Sequence, residues 1–168
     1  MNHRFGGRAR FAIEPGPLLS GEPTTGVRVV QLWAAGRELC CDDNHAFVPQ
    51  FSMSVEATIT WLLSDHDLSF PYPELSPEEN HRRSRAGEHE ERSRHVFMNW
   101  GPTTDNLCSF LFRRRADVVI TFEFWREARP RPEEIGRVFV VELPERELPR
   151  SLHQAVCVLR SGTWQRTT

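Results

Sequence analysis

Ile120, Phe122 and Phe124 alternate with Thr121, Glu123 and Trp125, the two-residue period of a strand with one face on a core and the other, including Glu123, in solvent. Further strands are predicted over Val96 to Trp100, Leu107 to Arg113, Val118 to Arg126 and Val138 to Leu143. In the first half, Arg10 to Glu14 reads as a short strand broken by Pro15 and Pro17. Val27 to Ala34 is rich in β-branched and aromatic residues and turns at Ala35-Gly36 towards Glu38 to Cys41 as a hairpin. The period then lengthens. Val55, Ile59, Leu62 and Leu63 form a helical stripe with Ser52 or Ser54 as its N-cap, and Leu148, Leu152, Val156 and Leu159 form a second, with Pro149 in its first turn and Gly162 at its end.

Between these blocks, residues 69–77 carry three prolines and are expected to run extended. Residues 78–95 hold five Glu, five Arg and three His with almost no apolar side chain, so a solvated, mobile insertion is expected. The alternative is a charged helix of paired Glu and Arg, interrupted near Gly87. The order predicts one α+β domain over 1–168, a largely antiparallel sheet of about six or seven strands with two amphipathic helices packed on it. A chain of 168 residues buries roughly 70% of its extended surface, enough for one core.

Composition narrows the function. A net charge of −2 argues against a generally nucleic-acid-binding surface. All 21 basic residues are arginine, which favours bidentate pairing with the many carboxylates. The start has no apolar leader and no run of 18 apolar residues occurs, so a cytoplasmic protein without membrane contact is expected. Cys40, Cys41, Cys108 and Cys157 are then reduced thiols, read as small, mostly buried side chains. No dinucleotide, P-loop or nucleophile-elbow motif is present, and five of the seven histidines, His45, His81, His89, His95 and His153, are read as isolated. The reading therefore assigns no metal, no cofactor and no catalytic residue.

Two stretches look arranged: Trp33 to Asn44, ending Cys41-Asp42-Asp43-Asn44, and Trp100-Gly-Pro-Thr-Thr-Asp105-Asn106. Asp and Asn side chains bond nearby backbone groups, so each pair can build a fixed polar loop beside an aromatic. Turn-building is the simpler reading. The functional one places Trp100, Asp105, Asn106, Asp42, Asp43 and Asn44 on a partner-binding surface, with the Trp100 indole partly open and Trp33, Trp61 and Trp125 in the core or at its edge. Trp164 lies in the polar tail. Arg113-Arg114-Arg115 occupies an expected hairpin turn, a possible grip for phosphate or an acidic partner. Asp105 and Glu123 would form an acid–base pair only if the fold joined them.

Trp61-Leu-Leu, Leu68-Ser-Phe, Val119-Ile-Thr-Phe-Glu-Phe-Trp125 and Val140-Val-Glu-Leu-Pro-Glu-Arg-Glu-Leu148 before a last helix resemble small immunity proteins of bacterial polymorphic-toxin systems, most closely those paired with wall-associated toxins. Phe5-Gly-Gly-Arg-Ala-Arg-Phe-Ala-Ile-Glu14 is similar to the start of a second immunity family. The resemblance implies a non-enzymatic cytoplasmic protein that neutralises a toxin by direct binding. The competing expectation is a small ligand-binding domain or enzyme with a cleft near Trp33, Trp100 and the Asp-Asn loops.

Overall fold

The alternation of Val27–Ala34 becomes β3 of a five-stranded antiparallel sheet. Its neighbour β2 spans Phe11–Ser20, β1 (Phe5–Gly6) extends the sheet beyond β2, and β4 (Arg37–Glu38) and β5 (His45–Phe47) both pair with β3. The computed structural model describes residues 3–40, 43–87, 92–126 and 131–161, so Cys41, Asp42, His89, Gly162 and Trp164 lie outside the described residues. The predicted hairpin forms, with Ala35 and Gly36 at φ 51° and 73°. Pro15 and Pro17 do not end β2, contrary to expectation. The register shifts between Pro15 and Leu18, and β1 pairs with β2 only at Ala12 and Ile13, so the prolines sit at irregularities with no second strand requiring their missing N–H.

The second half builds a separate three-stranded antiparallel sheet of β6 (Leu107–Arg114), β7 (Asp117–Phe124) and β8 (Phe139–Pro144). The fold class is α+β as predicted, with the strands divided between two sheets. Ile120, Phe122 and Phe124 face the core in the expected register, beside Val141 and Leu143 of β8. That core also takes Val30 and Leu32 of β3 and the stripes of α1 (Val48–Leu62) and of the last helix (Glu147–Ser161). Val55 and Leu62 are buried, and so are Leu148, Leu152, Val156 and Leu159. Leu63 breaks its stripe: it is the C-cap of α1 and 71% exposed. The helix begins before the expected serine caps, at Phe47, with Pro49 in its first turn, and Ser52 is buried inside it. Val96 to Trp100 is an extended passage with one bridge, Val96 to Phe110, and not a full strand.

The charged segment takes its helical alternative over α2, Pro77–Ala86; the last helix is therefore α3. Ser76 and Glu79 form a reciprocal capping box, Glu78 and Glu79 occupy the positive end of the helix dipole, and Arg83 and Arg85 the negative end. Few apolar residues were expected to mean no buried face. Instead α2 buries a polar one, Asn80, His81 and Ser84, against the outer side of the second sheet. Asn80 is satisfied there: its Nδ2 donates to the carbonyls of Tyr72, Leu75 and Ser76, and its Oδ1 accepts from Tyr72 N. The cover provided by α2 buries β7 on both faces. Glu123, expected in solvent, is 2% exposed.

Candidate functional site

Asn106 joins the two Asp-Asn loops. Its side-chain Nδ2 donates to the Leu39 carbonyl at 2.9 Å, and its backbone carbonyl accepts from Trp125 N at 3.2 Å. Asp43 caps its own turn, accepting from His45 N at 2.8 Å, while the Asn44 carbonyl accepts from Val30 N at 2.8 Å. Asn106 and Asn44 thus act as builders of the loops, and Asn106 is buried. Asp43 stays half-exposed, and Asp105 is exposed beside Arg126 at 3.6 Å. Asn106→Ala strands the buried Leu39 carbonyl and is expected to cost about 1–3 kcal/mol, read from the shift of the denaturant midpoint.

The tryptophans exchange the roles expected of them. Trp100 is 2% exposed, because the 95–100 passage threads the core and sets the indole edge-on to Phe11, Phe51 and Phe97 at centroid distances of 6.4, 5.9 and 5.6 Å. Its Nε1 donates to Thr58 Oγ1 at 2.8 Å. Its backbone N donates to Thr104 Oγ1, which in turn donates to the Gly101 carbonyl, closing the following turn. Trp125, expected in the core or at its edge, is 48% exposed where β7 runs out beside Asn106, with the Arg126 guanidinium 5.3 Å from its ring. The strand alternation carried the signal for this: Trp125 falls in the Thr121/Glu123 phase of the strand and lies one residue past the end of β7 at Phe124. Trp33 and Trp61 are half-buried, and Arg8 stacks over Trp33 while gripping Glu14 through two 2.7 Å bonds.

Beneath α2 lies a cluster that sequence reasoning missed. Glu123 Oε1 accepts a short charged bond from Arg85, and Glu123 Oε2 faces His81 Nε2 at 3.8 Å. His81 Nδ1 is 2.9 Å from Thr121 Oγ1. Cys108 sits opposite Glu123 in the β6–β7 ladder, and the ligand atoms of His81, Cys108 and Glu123 all lie within 4.8 Å of one another. Burial, aided by Arg85 and Arg82, lowers His81 to a pKa of about 4, so the ring is neutral at physiological pH. Burial raises the Glu123 carboxyl while the same arginines oppose the rise, and burial also raises the Cys108 thiol. The positions 81, 108 and 123 have no mutual spacing in sequence, so only the helix-on-sheet packing reveals them.

The other candidates separate. Asp105 pairs with Arg126 and Glu123 with Arg85, so the possible acid–base pair has divided partners. Of the three adjacent arginines, Arg113 binds Glu145 at 2.7 Å and Arg114 binds Glu142 through two bonds, which spends two of the three charges inside the fold. His153 and Cys157 are not isolated: they stand one turn apart on α3, with Nε2 and Sγ 3.6 Å apart, and Cys157 is exposed. A groove of about 680 Å³ opens between the end of α1 and the start of α3, lined by Leu63, Asp65, Arg113, Arg150 and His153 among others, and shares no lining residue with the Asp-Asn loops. Among the described residues no helix is long and apolar enough to cross a membrane.

The architecture as a whole has a counterpart among solved structures. No protein-family model matches the chain, and no curated protein matches it in sequence. The likeness is carried by the crystal structure of CdiI from Burkholderia dolosa AUO158, which superposes with a TM-score of 0.67 over 92% of this chain and 99% of that one. The two sequences are 12% identical, so what they share is the fold.

Proposed function

We propose that this protein is a cytoplasmic immunity factor that neutralises a cognate bacterial toxin by stoichiometric binding, without turnover and without membrane or direct nucleic-acid contact. The observation that carries this reading is the end-to-end likeness to CdiI, which spans both sheets and the helices and not an isolated motif. The contact surface includes Trp125, Asp105 and Arg126, with Asp43 and Asn44 on the adjoining loop that Asn106 ties to it. Asp42 belongs to the same stretch of sequence. Trp125 takes the anchoring role assigned from sequence to Trp100, since an exposed indole is available to a partner and a core indole is not. An acidic rim would steer association with a basic surface such as that of a nuclease toxin.

The test mixes the purified protein with toxin domains encoded beside its gene and measures complex formation and protection from toxicity. A one-to-one complex is expected. Trp125→Ala should weaken it by about 2 kcal/mol or more with melting unchanged, and Asp105→Asn should mainly slow association and flatten its salt dependence. No complex with any such toxin domain would overturn the reading.

A further inference from the structure

We infer that His81, Cys108 and Glu123 form a zinc site that clamps α2 onto the second sheet. This goes beyond the immunity reading and does not depend on it. The three side chains bring one nitrogen, one sulfur and one carboxylate oxygen from a helix and two neighbouring strands to within 4.8 Å of one another. A tetrahedral zinc holds such donors about 3.3–3.6 Å apart, so the 3.8 Å between His81 Nε2 and Glu123 Oε2 must close by a few tenths of an ångström, and all three atoms already lie within 4.8 Å.

A second observation points to a ligand. His81 is fully buried, yet its Nε2 has no hydrogen-bond partner among the described residues and is aimed at this space. A buried polar atom left in that state is destabilising, and a metal bond removes the deficit. The surroundings are those of a metal ligand set. Thr121 Oγ1 holds Nδ1 at 2.9 Å and orients the ring, so that Nδ1 donating to Thr121 leaves the Nε2 lone pair facing Glu123. Arg85 holds Oε1 of the carboxylate and leaves Oε2 directed inward.

Charge and access also fit. A thiolate and a carboxylate neutralise a divalent cation, with the thiol proton released to solvent and a water molecule filling the fourth tetrahedral position. Arg85, half-exposed, remains as the outer partner of Glu123. Cys108 also lines a pocket of about 270 Å³, together with Arg92, Asp105 and Ser109 among others. Sulfur with imidazole and one carboxylate selects zinc over magnesium or calcium, which take oxygen ligands.

Cobalt(II) is the probe, since it takes zinc's place and reports a thiolate ligand by absorption. Titrated into the full-length, tag-free protein, it is expected to give one equivalent of binding, a sulfur-to-cobalt charge-transfer band in the near ultraviolet and intense tetrahedral bands in the visible, all displaced by zinc. Cys108→Ser should abolish the charge-transfer band and His81→Gln should weaken binding at least tenfold. The His153→Ala/Cys157→Ser double variant should change nothing. Absence of the bands in the wild-type protein would overturn the site, whether or not the variants fold. So would their persistence in Cys108→Ser, or their loss in the surface double variant.

Discussion

Trp100→Ala is expected to lower the free energy of unfolding by about 3–5 kcal/mol, the largest loss from any single truncation considered. The indole is buried, meets three phenylalanine rings edge-on and donates to Thr58, so alanine leaves a cavity bounded by β2, α1 and the 95–100 passage. Neighbours already held by a close-packed core cannot collapse fully into that space. Trp100→Phe, which keeps most of the ring but loses the Nε1 bond, should cost substantially less. Urea unfolding with an unchanged m-value checks both. A Trp100→Ala protein as stable as wild type would place the indole outside the core, where it would again be available to a partner.

Acidification is expected to cost on the order of 3 kcal/mol of stability between pH 6.5 and pH 4, through His81. Its ordinary value is 6.5 and its folded value about 4, so the unfolded chain takes up the proton first. The stabilisation is complete above pH 6.5 and is lost as pH falls towards 4. The groups around the ring are Arg82 and Arg85 on its own helix and Thr121, Glu123 and Cys108 on the sheet. Both arginines resist a second positive charge. Glu123 works in the opposite sense: burial raises its folded value, so the folded chain takes up that proton before the unfolded one and offsets part of the loss. Urea midpoints from pH 7 to 4.5, in chelator, should show the decline, and His81→Gln should remove most of it. An unchanged slope in that variant would overturn the assignment to His81.

Both expectations concern side chains whose surroundings were hard to read in one dimension. The alternation from Val118 to Phe124 correctly directed Ile120, Phe122 and Phe124 to the core, because a two-residue period is a property of the strand itself. It was silent about what would cover the other face. Glu123 and Thr121 looked solvated until α2 was laid across them, whereas Trp125, read as core or core-edge, stands exposed just past the end of β7. Gly101-Pro102 marks a turn after Trp100, but a turn does not say which side of it meets the core; Phe11 and Phe51, distant in sequence, decide that. The prolines of β2 were read as breakers because a strand between two neighbours needs every N–H, and that no second neighbour pairs with β2 at the prolines is a tertiary fact.

The sequence by itself determined the α+β class, β3 and its hairpin, the core register of β7, the α3 stripe and the resemblance to immunity proteins, all of which rest on local period, turn chemistry or element order. The pairing of the two Asp-Asn loops through Asn106, the division into two sheets, the exchange of roles between Trp100 and Trp125 and the meeting of His81, Cys108 and Glu123 were decided only by the tertiary structure. Local periodicity says which side of an element is apolar. It carries no information on which distant element comes to lie against the polar side, and here that choice converts an exposed acid and an ordinary histidine into a buried, chemically coupled group.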